Sequence, residues 1–306
     1  MKETNMKRRK GLISGLIVAS VICSTIVFPG NTVQAATSVK INSTNFPDKN
    51  FRAYVKSQFD EDANGVLNST ELKNAKRIEC INSKIKNLQG IEKLVYATYL
   101  DCSVNEINTL DLSSNVKLKT LNCSKNQLTS INITGCSNLV TLECFDNQLS
   151  ALDVSELAKL TKLDCSNNLI ESLDVSNSIN LTYLEFYNNK ISAIDISMNT
   201  ELDYLQCSDN QIKTLDVSSN TKLEELECSR NELDSLDVST LSNLKFLGCR
   251  GNNLTAIDVS NNANLDQLYL EKNKLSTVDV SSNPDLHVLI CSDNNLTSIE
   301  FGETSS

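Results

Sequence analysis

The sequence predicts an α/β-type solenoid, a parallel β-strand stack of ten 21-residue coils with a small helical N-terminal cap. Three observations point there. An asparagine recurs every 21 residues, at Asn105, Asn126, Asn147, Asn168, Asn189, Asn210, Asn231, Asn252, Asn273 and Asn294. Around it the apolar residues keep fixed places, as in Leu118-Lys-Thr-Leu121-Asn-Cys123-Ser-Lys-Asn126-Gln-Leu128-Thr-Ser-Ile131-Asn-Ile133. Upstream, residues 37–76 carry no repeat, and Phe51, Val55 and Phe59 fall at the i, i+4, i+8 spacing of one helical face.

Each coil follows from alternation. Leu121 and Cys123 flank a polar residue, so both point inward from a short strand while Asn122 points out. One coil cannot bury its apolar side alone, whereas stacked coils share a continuous core. Parallel strands about 4.8 Å apart make ten coils a stack on the order of 50 Å long. The repeated asparagine stands where the chain leaves the strand, and its amide can bond backbone groups of its own and adjacent coils. Ten asparagines at one solenoid position read as structure rather than chemistry.

Composition narrows the function. Tryptophan is absent, His287 is the sole histidine and there are three prolines. A histidine-dependent triad or a multi-histidine metal site is therefore nearly excluded. The whole chain carries a net charge of −10. Residues 1–35 hold Lys2, Lys7, Arg8, Arg9 and Lys10 against Glu3, so the remainder carries −14. Such a surface repels phosphate backbones and anionic lipid, which argues against nucleic-acid or membrane-surface partners.

Taken in order, residues 1–35 read as a secretory signal peptide. The basic run Lys7–Lys10 precedes an apolar run from Gly11 to Phe28, and Val33-Gln34-Ala35 supplies the small-residue cleavage pattern. An uncleaved anchor is the rival, because the apolar run is just long enough to span a bilayer. Pro29-Gly30 and the adjoining cleavage pattern favour removal. The expectation is export from a Gram-positive cell, with no membrane association after cleavage.

Residues 36–76 form the helical cap, with Asp48 placed to cap its first helix. Next comes Asp60-Glu-Asp62-Ala-Asn64-Gly65-Val66-Leu67-Asn68-Ser-Thr-Glu71, which fits D-x-[DN]-x-[DN]-G-x5-E, the calcium loop of an EF-hand. Asp60, Asp62 and Asn64 would supply side-chain oxygens, Val66 its carbonyl and Glu71 both carboxylate oxygens. Asn68 would reach the ion directly or through water, and Gly65 permits the sharp turn. The bland alternative is an acidic, solvated turn between two helices. The expected role of Ca2+ is structural, clamping the cap with the weak affinity of extracellular sites, about 10⁻⁴–10⁻³ M. Ser69 to Lys76 can form a short exit helix.

The solenoid occupies residues 77–301 and a tail residues 302–306. Ile78, Cys80, Ile85, Leu88, Ile91 and Leu94 make a degenerate leading coil, with Ser83 in the asparagine's place. Cys102, Cys123, Cys144, Cys165, Cys207, Cys228, Cys249 and Cys291 share one inward position, where Phe186 and Leu270 substitute. The site wants apolar volume. In-register parallel neighbours hold their Cβ atoms about one strand spacing apart, wider than the ~3.8 Å a disulfide prefers. These cysteines read as buried thiols acting as small hydrophobes, and free thiols outside a cell suggest an anaerobic niche. Asp-Val-Ser segments place Asp111, Asp153, Asp174, Asp195, Asp216, Asp237, Asp258 and Asp279 at one turn, where local bonding to the backbone is the plain reading. No cap is visible after Phe301, so self-association through that end is expected.

The strand face is where the copies differ. Its central outward position runs Asp101, Asn122, Glu143, Asp164, Glu185, Gln206, Glu227, Gly248, Tyr269, Ile290, an acidic stripe that turns apolar in the last three coils. Phe145, Tyr183, Tyr187 and Tyr204 gather beside Glu185, and Phe246 gathers with Tyr269 and Ile290. Exposed aromatics among acids suit a protein or glycan ligand; the alternative is ordinary surface scatter for the first cluster, and for the second, as the favoured reading, a patch covered by a missing cap or a partner.

The unit L-x-x-L-x-C-x-x-N-x-L-x-x-L-D-V-S is a leucine-rich repeat with cysteine at its third apolar place. From Ala97 to Phe301 it resembles the 21-residue bacterial class found in surface proteins related to the internalins. Ile78 to Tyr96 looks like an internalin-type 22-residue coil, and Asn45–Val55 with its calcium-type loop resembles the N-terminal cap of clostridial proteins of this class. The resemblance implies a secreted, non-enzymatic, ligand-binding solenoid. The expected function is a secreted or cell-surface module binding protein or glycan through its strand face, and no enzyme, since no coil breaks the repeat to build a pocket. The alternatives are a calcium-stabilised structural or assembly protein, or a fragment of a larger surface adhesin.

Overall fold

The computed structural model describes residues 38–302, so the signal-peptide reading of residues 1–35 and the last four residues of the tail lie outside it. Eleven three-residue strands build one parallel sheet, from Arg77–Glu79 and Tyr99–Asp101 to Val288–Ile290. These are the ten repeats and the leading coil. Pairing is in register, Leu100 beside Leu121 beside Leu142 beside Leu163, so like side chains stack on like. The central leucines from Leu100 to Leu268 and the ladder cysteines from Cys102 to Cys249 are fully buried.

Among the described residues the α-helices, α1 (Lys49–Phe59) and α2 (Ser69–Asn74), lie in the cap, and one 3₁₀ turn at Ile91–Lys93 lies in the leading coil. The return half of each coil is mostly turns. A strand, two turns and a return use up 21 residues, leaving no room for the ten or so that a typical helix takes. Short parallel pairs on the return side occur near the two ends, Thr109–Asp111 with Ser130–Asn132 and Thr277–Val280 with Ser298–Phe301.

In the cap, Asp48 Oδ1 accepts from the backbone N–H groups of Asn50 and Phe51, and Phe51, Val55 and Phe59 face inward. Asn68 and Glu71 form a capping box that starts α2, which ends at Asn74, two residues short of the expected limit, as Ala75 leaves helical geometry. Strand β1 (Ser38–Lys40) pairs antiparallel with β2 (Val66–Asn68), setting Val39 opposite Leu67. Three bonds lock the cap to the stack. The Tyr54 hydroxyl accepts from Glu79 N at 2.6 Å, Asn50 Nδ2 donates to Lys84 O at 2.7 Å, and Asp48 Oδ2 accepts from Lys86 N at 2.9 Å. Gly90, at φ 107°, lies so close to Phe46 that a Cβ would collide with its ring.

The repeated asparagines do what their position implies. Asn189 Nδ2 donates to Cys165 O at 3.1 Å and Phe186 O at 3.0 Å, while its Oδ1 accepts from Ile170 N at 2.9 Å. Each amide thus ties two coils. A second ladder, Asn115, Asn199, Asn220, Asn262 and Asn283, escaped the sequence reading although it keeps the same spacing. These amides are buried, and Asn220 Nδ2 donates to Ile196 O at 3.1 Å and Asn199 O at 2.9 Å. Cys136 and Ser178 fill the same place and bond Leu112 O and Leu157 O.

The Asp-x-Ser turns bond locally to their own backbone. Asp195 Oδ1 accepts from Ser197 N at 2.9 Å, and the serine hydroxyl and amide hold its carboxyl below the usual range, as at Asp153, Asp174, Asp216, Asp237, Asp258 and Asp279. The ladder cysteines are free thiols, and burial pushes the Cys123 thiol up to about 12. In the last coil the core opens. Leu289 is half-buried where Leu268 is fully buried, and Phe301 is 68% exposed.

Candidate functional site

Parallel register sets Tyr183 beside Tyr204, and their rings stack with centroids 4.3 Å apart and planes within 2°. That separation is close to a strand spacing, so the stack runs along the sheet. Lys162, the register neighbour of Tyr183 on its other side, places Nζ 5.0 Å from the ring centre and pairs with Glu143 at 2.5 Å. Glu185 accepts from the Tyr183 hydroxyl. Tyr187 instead accepts from Asn167 Nδ2 at 2.9 Å, and Phe145 lies 5.7 Å from Lys125 Nζ. The four aromatic residues expected to gather therefore resolve into one stacked pair and two neighbours with other partners. Side-chain direction, not proximity in sequence, made that division.

Further along, Phe246 and Tyr269 meet with centroids 5.4 Å apart and planes tilted by 36°, and Ile290 follows Tyr269 in register. Gly248 shares the strand of Phe246 and stands in register between Glu227 and Tyr269. A Cβ there would collide with the Glu227 carboxylate, which folds over the glycine and accepts from Ser208 Oγ at 2.8 Å and Ser229 N at 2.9 Å. Glu227 thus closes off the start of the segment expected to be apolar, a placement the sequence did not reveal.

The acidic stripe is uneven. Asp101, at 8% exposure, is buried and takes hydrogen bonds from Ser103 N and Oγ, so it offers little to a partner. Burial pushes the Asp164 carboxyl up to about 6, with Glu185 and Glu143 adding to the rise. Burial and then Glu185 also raise the Tyr204 hydroxyl. Among the described residues Asp164, Glu185, Glu225 and Glu227 have no basic partner, whereas Glu143 and Glu224 do.

In the cap loop, carboxylate oxygens of Asp60, Asp62 and Glu71 all lie within 4.8 Å of one another. Asp60 accepts from Gly65 N at 3.0 Å, Asp62 from Asn64 N at 3.1 Å, and Asn64 from Val66 N at 2.7 Å. Val66 stands in β2 opposite Lys40. Glu71, 2% exposed, accepts from Glu61 N at 2.8 Å and Asn68 N at 2.7 Å. Asn68 Oδ1 takes the N–H groups of Thr70 and Glu71, so it is engaged as the helix cap. Three converging carboxylates without a basic partner among the described residues make an all-oxygen donor set. In donor chemistry these residues fit a calcium ion.

Residues 46–168, less than half of the chain, match the model of the leucine-rich-repeat domain of the endo-beta-N-acetylglucosaminidase EndoS. The functional domain of InlJ from Listeria monocytogenes, described as including a cysteine ladder, matches with a TM-score of 0.70 at 34% identity. The match covers 86% of this chain and 63% of that one. The chain has the fold of a leucine-rich-repeat solenoid and is similar to the internalins. Internalin J of two Listeria monocytogenes strains is 41% identical over 70 residues and 38% over 85, or 23% and 28% of this chain. Those stretches are 8% and 10% of the relatives, so the matched part spans about a tenth of the curated relatives' length. YopM from Yersinia enterocolitica, at 24% identity and a TM-score of 0.67 over 81% of this chain and 51% of that one, shares the fold. Among the described residues of this solenoid no helix is long and apolar enough to cross a membrane.

Proposed function

We propose that this leucine-rich-repeat chain is exported and acts as a non-catalytic extracellular binding module, engaging a protein partner through its strand face. One observation carries the reading. The coils repeat where they bury and differ where they face out, and the differences converge in the half-buried Tyr183–Tyr204 stack and the Phe246–Tyr269 pair. Half-buried aromatic anchors are the residues that dominate binding energy at protein interfaces. The basic and apolar pattern of residues 1–35 supports export, and the Asp60–Glu71 loop supports a structural calcium ion that stiffens the cap.

The test is a panel of extracellular proteins and glycans probed with the chain, with Tyr183→Ala/Tyr204→Ala, and with Asp195→Asn on the turn ladder. Loss of a ligand in the tyrosine variant alone supports the strand-face reading. Equal binding by all three defeats it. Self-association through the last coil is the second reading, because Ile290, Ile299 and Phe301 are exposed there. Sedimentation of Phe301→Ser against the parent chain checks it: a concentration-dependent dimer that the substitution leaves intact rules it out.

A further inference from the structure

Two tyrosines of the strand face each hold a cation from the strand before them. Arg77, the register neighbour of Tyr99, sets its guanidinium carbon 3.7 Å from that ring's centre and pairs with Glu79 at 2.6 Å. Lys162 does the same over Tyr183, paired with Glu143. In each case ring quadrupole and carboxylate attract the same cation.

Tyr204 differs. One of its faces is covered by the Tyr183 ring. On the side of the following strand its register neighbour is Glu225, with Glu227 two residues on. Among the described residues no lysine or arginine lies over this ring or pairs with either carboxylate. Glu227 is held in place by Ser208 and Ser229 and rests over Gly248. An aromatic face therefore borders Glu225 in register, with Glu227 on the same strand two residues on, where the described chain supplies no cation.

We propose that this face of Tyr204, with Glu225 and Glu227, receives the guanidinium of an arginine on a basic segment of a partner protein. Further basic residues of that segment meet Glu185 and Asp164, two other stripe carboxylates without a basic partner among the described residues. A planar guanidinium can stack on the ring while its edge N–H groups reach the carboxylates, which a compact ammonium cannot do as well. Burial beside Glu185 and Glu143 holds the Asp164 carboxyl at about 6, a load that an approaching cation relieves and a neutral sugar does not. The proposal rests on the strand-face reading above and names its partner's chemistry.

Calorimetry of the chain with a hexa-arginine peptide, and separately with a neutral chito-oligosaccharide, tests it. The peptide is expected to bind, less tightly as salt rises. Tyr204→Ala and Glu225→Gln/Glu227→Gln should each weaken it about tenfold, while Tyr204→Phe stays within about twofold because the ring and not the hydroxyl holds the cation. Asp216→Asn, on the turn ladder, should leave it unchanged. Equal affinity for parent and Tyr204→Ala overturns the proposal, since charge attraction without a site would then suffice. Sugar binding that Tyr204→Ala abolishes, with no peptide binding, overturns it and leaves the strand-face reading standing. If neither probe binds and the tyrosine variant keeps every panel ligand, both fall.

Discussion

Asp164 shows how one residue of this surface trades stability for charge. Its folded carboxyl sits near 6, above the usual aspartate value, so the native state holds the proton more tightly than the unfolded chain does. The corresponding stability is present in full below about pH 4 and is lost as pH rises through about 6. Asp164→Asn is therefore expected to stabilise the fold by about 2 kcal/mol at pH 7 and to change little at pH 4, measured by denaturant unfolding. The substitution is structurally mild, because Asn122 stands at the same coil position and accepts from Ser124 N at 3.0 Å. Val104 stores a different penalty. It occupies the left-handed position that Lys125, Asp146, Asn167 and Gly251 take in other coils, at φ 58°, although it is β-branched and 43% exposed. Val104→Asn should raise stability by roughly 1 kcal/mol, visible as a higher melting temperature.

At the scale of elements, the proposed calcium ion would act on the cap. The loop between α1 and α2 gathers Asp60, Asp62 and Glu71 with no basic partner among the described residues, and Glu71 is nearly inaccessible. Calcium binding the folded loop in preference to the unfolded one should raise the melting temperature, more so as calcium rises, and Asp60→Ala should abolish that rise. Superimposable melts with calcium and with chelator would leave the loop as a solvated turn. The EF-hand pattern, the N-cap at Asp48 and the apolar face of α1 were all legible in the sequence, because they are local spacings. The pairing of β1 with β2 was not, since three extended residues at Ser38–Lys40 carry no pattern that names a partner.

Over the whole molecule, stability is a sum of coils and the contacts between neighbours, so a defect in the middle breaks the stack in two. Asn210 lies there. Its Nδ2 donates to Phe186 O, Cys207 O and Ser208 O, and its Oδ1 accepts from Ile191 N. Asn210→Ala leaves these buried groups unpaired and should cost on the order of 3 kcal/mol, with the unfolding transition broadened, as followed by circular dichroism. The sequence by itself determined the coil, its 21-residue period, the inward leucines and cysteines, and the bridging role of Asn105 to Asn294. Those features recur along the stack, with Phe186 and Leu270 in the cysteine's place in two coils, because each coil meets the same burial and hydrogen-bonding demand. It also put Tyr183 and Tyr204 one period apart. Only the tertiary structure decided that their rings stack, that Lys162 covers one end of the stack, and that Glu227 folds over Gly248 beside the other. On the open strand face no shared core dictates side-chain direction, so each rotamer is settled by its particular neighbours across the sheet.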